Sequence, residues 1–259
     1  MGVQIPITQT FLLPDGREVI METGKLAAQA HGSAMIRLGD TMLLATVVSN
    51  KEAKEGQPFF PLSVDYQEKF ASVGRVPGNF FRRETRLSDY EILISRLVDR
   101  AVRPLFPDGY MNETQIIINL ISADKDIMPD ALAALAASTA LSVSDIPWDG
   151  PISEVRVARI DGQFVVNPGR EALATADLDV IIAATIKDIM MVEGEANECS
   201  EHDLIEAIRI GHDAIKVQCQ AQIDLAKKVG AKATQKRVLA EAPSDDDLKK
   251  VIDQFSRQR

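Results

Sequence analysis

Along the first third of the chain, apolar and polar positions alternate in short runs broken by turn residues, which predicts β-structure. Segments 11–13 and 18–22 flank Pro14-Asp15-Gly16-Arg17, whose Pro and Gly suit the angles of a tight turn. Segments 33–38 and Thr41–Ser49 flank Gly39-Asp40 in the same way, and Leu62–Glu68 reads as a further strand. From 71 to 81 the period is lost and Gly74, Pro77 and Gly78 intervene, so a loop is expected. A helix follows: Ser88 with Glu91 forms a capping-box pattern, Ile92, Leu93, Leu97 and Ala101 recur at helical spacing, and Pro104 falls near the end.

Beyond it the pattern predicts a buried strand at Thr114–Ser122 and an Ala/Leu-rich core helix at Asp130–Ser142. A strand at 152–160 turns at Asp161-Gly162 into Gln163–Val166, and two more cover Leu178–Ala184 and 189–193. This order is that of an α+β domain with a mixed sheet. From about Ser200 the pattern is wholly helical: Glu201–Val229 carries Leu204, Ile205, Ala207, Ile208, Ile215 and Val217, and 247–255 starts another helix behind Ser244. The division expected is therefore one core domain over 1–199 and the start of a helical domain over 200–259. Because the last helix has no C-cap glycine before Arg259, the sequence reads as part of a longer chain.

Composition narrows the class. Hydrophobic residues at 46% and charged residues at 26% describe an ordinary globular chain. The formal net charge of −9 argues against indiscriminate coating of nucleic acid but leaves room for a local basic site. Cys199 and Cys219 have no histidine at ligand spacing and read as two reduced thiols. No signal-peptide pattern opens the sequence and no apolar run approaches the ~20 residues that span a bilayer, so a cytoplasmic location is expected.

The informative charge is local. Arg75, Arg82, Arg83, Arg86, Arg96, Arg100 and Arg103 fall within 29 residues that hold four acids and no lysine. Arginine presents a planar fork suited to phosphate, which an ammonium does less well. In Phe80-Phe81-Arg82-Arg83, aromatic faces able to stack on unpaired bases stand beside cations able to follow a phosphate backbone. The alternative is a Phe that staples the loop to the core with arginines in surface ion pairs, and composition does not choose between them. Arg96, Arg100 and Arg103 share a helix face near Asp99; an internal ion pair is expected for Arg96, while Arg100 and Arg103 stay open.

The run from Gly74-Arg75-Val76-Pro77-Gly78-Asn79 through Phe80-Phe81-Arg82-Arg83-Glu84, with Arg96-Leu97-Val98-Asp99-Arg100 and Arg103-Pro104-Leu105-Phe106-Pro107, closely resembles the first core domain of polynucleotide phosphorylases. Glu22-Thr23-Gly24-Lys25, Phe59-Phe60-Pro61-Leu62, Tyr66-Gln67-Glu68, Asn167-Pro168 and Leu178-Asp179 support it across most of residues 11–195. The resemblance implies a ribonuclease-PH-like (ribosomal protein S5 domain 2-like) core, followed by the family's all-helical linker. It further implies a homotrimeric ring that threads single-stranded RNA and shortens it from the 3′ end with inorganic phosphate, releasing nucleoside diphosphates. Mg²⁺ in a second core domain and contacts with other RNA-degradation proteins also belong to that picture. Carried over by motif, Phe80 stacks on a base, Phe81 stands beside it, and Arg82 and Arg83 grip the backbone. Arg86, Arg100 and Arg103 are further RNA-binding candidates.

Active ribonuclease-PH domains cradle phosphate with small residues, but the corresponding stretch here is Asp124-Lys125-Asp126-Ile127-Met128-Pro129-Asp130. Its three acids repel phosphate and Pro129 donates no amide, so the cradle is lost. Glu171 and Asp177 stand near the places of the family's metal-holding pair, and Asp177 with Asp179 also makes a candidate pair. Without a cradle the preferred reading is a solvated helix-to-strand junction, and no metal site is expected in this chain. Two rivals remain: a free-standing phosphorolytic ribonuclease using Glu171, Asp177 and Asp179, and a non-enzymatic assembly module. Other features have plain explanations: isolated His31, His202 and His212, Trp148 packed in a loop, and Asp245-Asp246-Asp247 in a first helical turn. Glu193, Glu195 and Glu198 form an acidic edge for which the sequence offers no partner.

Overall fold

The computed structural model describes residues 5–76, 86–238 and 246–257. Two sheets carry the alternating segments. The first holds β1 (Ile7–Leu12), β2 (Glu18–Thr23), β3 (Gly32–Leu38), β4 (Thr41–Ser49), β5 (Leu62–Glu68) and β6 (Thr114–Ser122) in the order β1-β2-β3-β4-β6-β5. All its pairings are antiparallel except β5 with β6, so this sheet is the expected mixed one. The second sheet is antiparallel: β7 (Ser153–Ile160), β8 (Gln163–Val166), β9 (Leu178–Ala184) and β10 (Ile189–Ala196), in the order β10-β9-β7-β8. β1 begins four residues earlier than the expected segment, as an edge strand whose outward side chains give weak alternation.

Two helices complete the first unit. α1 (Asp89–Val102) packs on β5, and α2 (Asp130–Ser142) lies against β3, β4 and β7. Ser88 Oγ accepts the Glu91 amide at 3.2 Å and Glu91 returns a bond to the Ser88 amide at 2.7 Å, closing the capping box. The other oxygen of Glu91 accepts the Glu68 amide at 2.7 Å, tying the end of β5 to the start of α1. α2 is buried along almost its whole surface, as a helix apolar all round must be. Small residues let it sit close to both sheets: a Cβ on Gly32 would meet the Ala140 carbonyl oxygen at 2.0 Å.

α3 (Arg170–Leu173) and α5 (Ala231–Thr234) are single turns that a periodic pattern is too short to reveal. α4 (Glu201–Val229), capped by Ser200 and Asp203, covers the second sheet. Four of the six apolar residues expected on its inner face pack there, Ala207 and Ile215 buried and Leu204 and Ile208 against the same cluster, whereas Ile205 and Val217 are exposed. Gly211, Ala214, Gln218, Cys219, Gln222 and Leu225, which the apolar pattern does not pick out, are buried beside them. Gln222 accepts from Ser138 at 2.6 Å and donates to the Ile152 carbonyl at 2.7 Å, while Gln218 accepts from Ser153 at 2.6 Å. Lys228 reaches the Thr8 carbonyl at 2.9 Å, so α4 also binds the edge of the first sheet. α6 (Asp246–Arg257) follows, and Ser244, expected as its cap, lies outside the described residues. Both cysteines are free, Cys219 buried and Cys199 half-buried, as their spacing suggests.

Candidate functional site

Phe80, Phe81, Arg82 and Arg83 lie outside the described residues, so the site is built from what flanks them. Arg86, just before the α1 cap, is exposed and borders a cleft of about 510 Å³ beside the end of β5. Along α1 the arginines divide, and not as their spacing predicts. Arg103, at the C-cap, forks onto Asp99 with contacts of 2.7 and 3.2 Å, donates at 3.1 Å to the carbonyls of both Phe60 and Leu62, and lies 5.6 Å from the Phe60 ring centre. Its donors are committed to joining α1 to the approach of β5, which leaves no fork free for RNA. Arg100 pairs with Glu193 of β10, so the acidic edge does have a cationic partner. Arg96, expected to be internally paired, is exposed and makes no ion pair or hydrogen bond with any described residue. The correction has a simple geometric cause: Asp99 lies four residues before Arg103, a spacing that stacks the two side chains.

The segment after β6 has closed on itself. The Asp124 amide donates to Thr41 Oγ1 at 3.0 Å, the Asp126 amide to the Asp124 carboxylate at 2.8 Å, and the Ala131 amide to Asp130 at 2.8 Å. The Asp124 and Asp126 amides are thus taken by local oxygens. The Asp126 carbonyl accepts the Arg170 amide at 2.9 Å, which fixes α3 against the same segment.

The candidate metal carboxylates are also engaged. Asp177 receives both prongs of Arg159 at 2.8 Å, and Arg159 turns its remaining nitrogen to Asp203 at 2.6 Å. The hydrogen bond from Arg159 holds the Asp177 carboxyl below its ordinary range. Arg156 bridges Asp179 at 2.5 Å and the deeply buried Asp130. Glu171 is exposed on α3, with no pairing among the described residues. A metal at Asp177 or Asp179 would have to displace an arginine, and among the described residues no group of three or more His, Cys, Asp or Glu can hold an ion. These residues do not fit the Mg²⁺ that the family resemblance implies.

One group here is not legible as chemistry in the sequence. Glu154 on β7 is 1% exposed, one of its carboxylate oxygens has no hydrogen-bond partner among the described residues, and burial followed by the nearby Asp130 raises its pKa well above the ordinary value. His31 and His212 take structural bonds, to the Ser49 amide and with the Thr185 carbonyl, and Trp148 donates to Val102 at 3.0 Å. No described helix is long and apolar enough to cross a membrane.

A six-stranded mixed sheet with two helices, joined to an antiparallel sheet under a long helix, is a class that sequence comparison identifies. The chain belongs to the 3′ exoribonuclease family: the model of its domain 1 matches residues 15–147 and that of its domain 2 residues 150–214. More particularly, it is similar to polyribonucleotide nucleotidyltransferases. It is 57% identical to that of Cytophaga hutchinsonii over 246 residues and 58% identical to that of Bacteroides fragilis over 247, in each case 95% of this chain. It spans only 34% and 35% of those proteins, about a third of their length. A chain from a structure described as the Archaeoglobus fulgidus exosome with RNA bound to the active site shares the fold, with TM-score 0.60 and 18% identity. That match covers 78% of this chain and 89% of the other.

Proposed function

We propose that this chain is the RNA-handling portion of a phosphorolytic 3′-to-5′ exoribonuclease, and that the reacting groups come from the part of such a protein beyond it. The observation that carries this reading is the closed segment after β6. Its Asp124 and Asp126 amides are bonded to Thr41 and Asp124, three of its seven residues are acids, and Pro129 has no amide hydrogen to donate to inorganic phosphate. Asp177 and Asp179 hold arginines rather than a metal. In this reading Mg²⁺ and phosphate act in the second core of the longer protein, in the cytoplasm, and three copies form the ring. Degradation partners would bind outside that ring. The packing of α4 on both sheets favours a core that runs to about Gly230, with the all-helical domain starting beyond it.

Single-stranded RNA is held, on this proposal, by Phe80, Phe81, Arg82 and Arg83 with Arg86 beside them; Arg100 contributes once its exposed pair with Glu193 opens. Oligoadenylate titrations over a range of salt test it. The Arg82→Ala, Arg83→Ala double variant should bind all RNA sequences more weakly, with the salt slope reduced by about 1–2. Phe80→Ala should cost single-strand affinity, by ~1–3 kcal/mol, far more than duplex affinity. Unchanged RNA affinity in the double variant would instead favour a purely assembling module.

A further inference from the structure

Residues 231–238, which lead from α4 toward α6, hold to the core almost wholly through charge. Only Ala233 among them is buried, and Val238 is 96% exposed, so apolar burial does little to keep them in place. Two side chains do the holding. Lys236 Nζ donates to the Ser144 carbonyl at 2.7 Å and reaches those of Leu141 and Ser142 at 3.4 Å. Those carbonyls mark the C-terminal end of α2, the negative end of a helix, where a cation is favoured. Arg237 donates through two nitrogens to the two oxygens of Asp145, at 2.7 and 3.2 Å. Through its third nitrogen it reaches the Ser49 and Asn50 carbonyls at 3.1 and 3.3 Å. Its amide bonds the Asp145 carbonyl at 2.8 Å.

The seat for these two cations is built without them. Ser49 is 1% exposed, with its hydroxyl bonded to that of Tyr110 at 2.6 Å and to Thr114 at 2.8 Å, and Asn112 donates to the Asn50 carbonyl at 3.1 Å. Ser144 is closed onto the Leu141 carbonyl by its own hydroxyl at 2.7 Å. We infer that Lys236 and Arg237 form a releasable clasp: closed, it fixes where the chain leaves the core, beside the ends of α2 and β4, and open, it frees the chain after α4 while the core stays folded. A stretch held by hydrophobic packing leaves only as the core around it unfolds, because its apolar surface is part of that core. A stretch held by two side chains on a preformed seat opens locally, as segments with few buried apolar contacts do. The clasp contains none of the residues assigned to RNA, so its failure would leave that reading untouched.

Hydrogen exchange of the 259-residue chain, followed by mass spectrometry, tests the inference. The amides of Ala233, Thr234, Gln235 and Arg237 report the closed state, since they bond to the carbonyls of Gly230, Ala231 and Asp145. In the parent they should exchange well before those of α2 and β4, through a local opening. Lys236→Met with Arg237→Met should speed them at least ~10-fold, from the loss of charge-assisted contacts, while α2 and β4 keep the parent's protection. Asp145→Asn keeps the shape of the seat and removes its charge. It should speed the same amides by a smaller factor, and it carries the test if the double variant folds poorly. Unchanged exchange at 231–238 in both variants would overturn the proposal. Exchange that rises equally across 231–238, α2 and β4 would overturn it as well, because the stretch would then be an inseparable part of the core.

Discussion

The arginines of α1 and those of β7 carry the same group in the same acidic protein, yet they do different work. Arg156 and Arg159 sit where strands and helix starts bring Asp130, Asp177, Asp179 and Asp203 around them, and each guanidinium bridges two carboxylates. Arg86 and Arg96 are exposed, while Glu91 is bonded to the Glu68 and Ser88 amides and Asp99, three residues after Arg96, to Arg103. Local abundance of arginine does not distinguish these cases. What distinguishes them is whether the fold has spent the neighbouring carboxylates elsewhere. Arg103 shows the boundary: it lies in the arginine-rich stretch but behaves like the β7 pair, because Asp99 lies one turn before it.

The largest test of this contrast is Arg156→Met. It leaves Asp130 buried without its cation, so chemical denaturation should show a loss of ~3–5 kcal/mol. Next, Arg103→Ala should destabilise by ~1–3 kcal/mol through the unpaired Asp99 and the two freed carbonyls, with RNA affinity of the folded protein unchanged. Glu154→Gln should act in the opposite direction. The folded-state pKa of Glu154 lies above its unfolded value, so its share of stability is intact below the unfolded pKa of ~4.3 and is lost as pH rises toward the folded value. The Gln variant should therefore gain on the parent by up to ~1.4 kcal/mol per pH unit across that interval, read from melting curves between pH 4 and 8. Arg100→Ala breaks an exposed pair and should cost at most ~1 kcal/mol. Arg96→Ala, with no partner to lose, should stay within ~0.5 kcal/mol. A large loss at Arg96 would break the contrast.

Much of the fold was legible because its signals are short-range. Turns at Gly16 and Gly39, the Ser88–Glu91 box and the Ala-rich core helix all follow from local backbone preferences. The inner face of α4 was legible only in part, since it is also written in Gly211, Gln218 and Gln222, whose fit depends on what the second sheet presents to them. The division of the chain into two sheets was hidden for the same reason: strand patterns do not state their partners. At the site, the proposal that the segment after β6 holds no phosphate starts from composition, since acids and Pro129 stand where the family's small donors would be. The pairing of Arg159 with Asp177 and the isolation of Arg96 could not be, as both depend on contacts fixed only by register and helix phase.

The central claim is that this chain handles RNA without cutting it, and release of ADP from poly(A) tests it most directly. With Mg²⁺ and inorganic phosphate present, the 259-residue chain should bind poly(A) and release no ADP above a no-protein control. Phosphate-dependent ADP release that disappears in an Asp177→Asn, Asp179→Asn variant would contradict it, and would put the reacting groups in this chain after all.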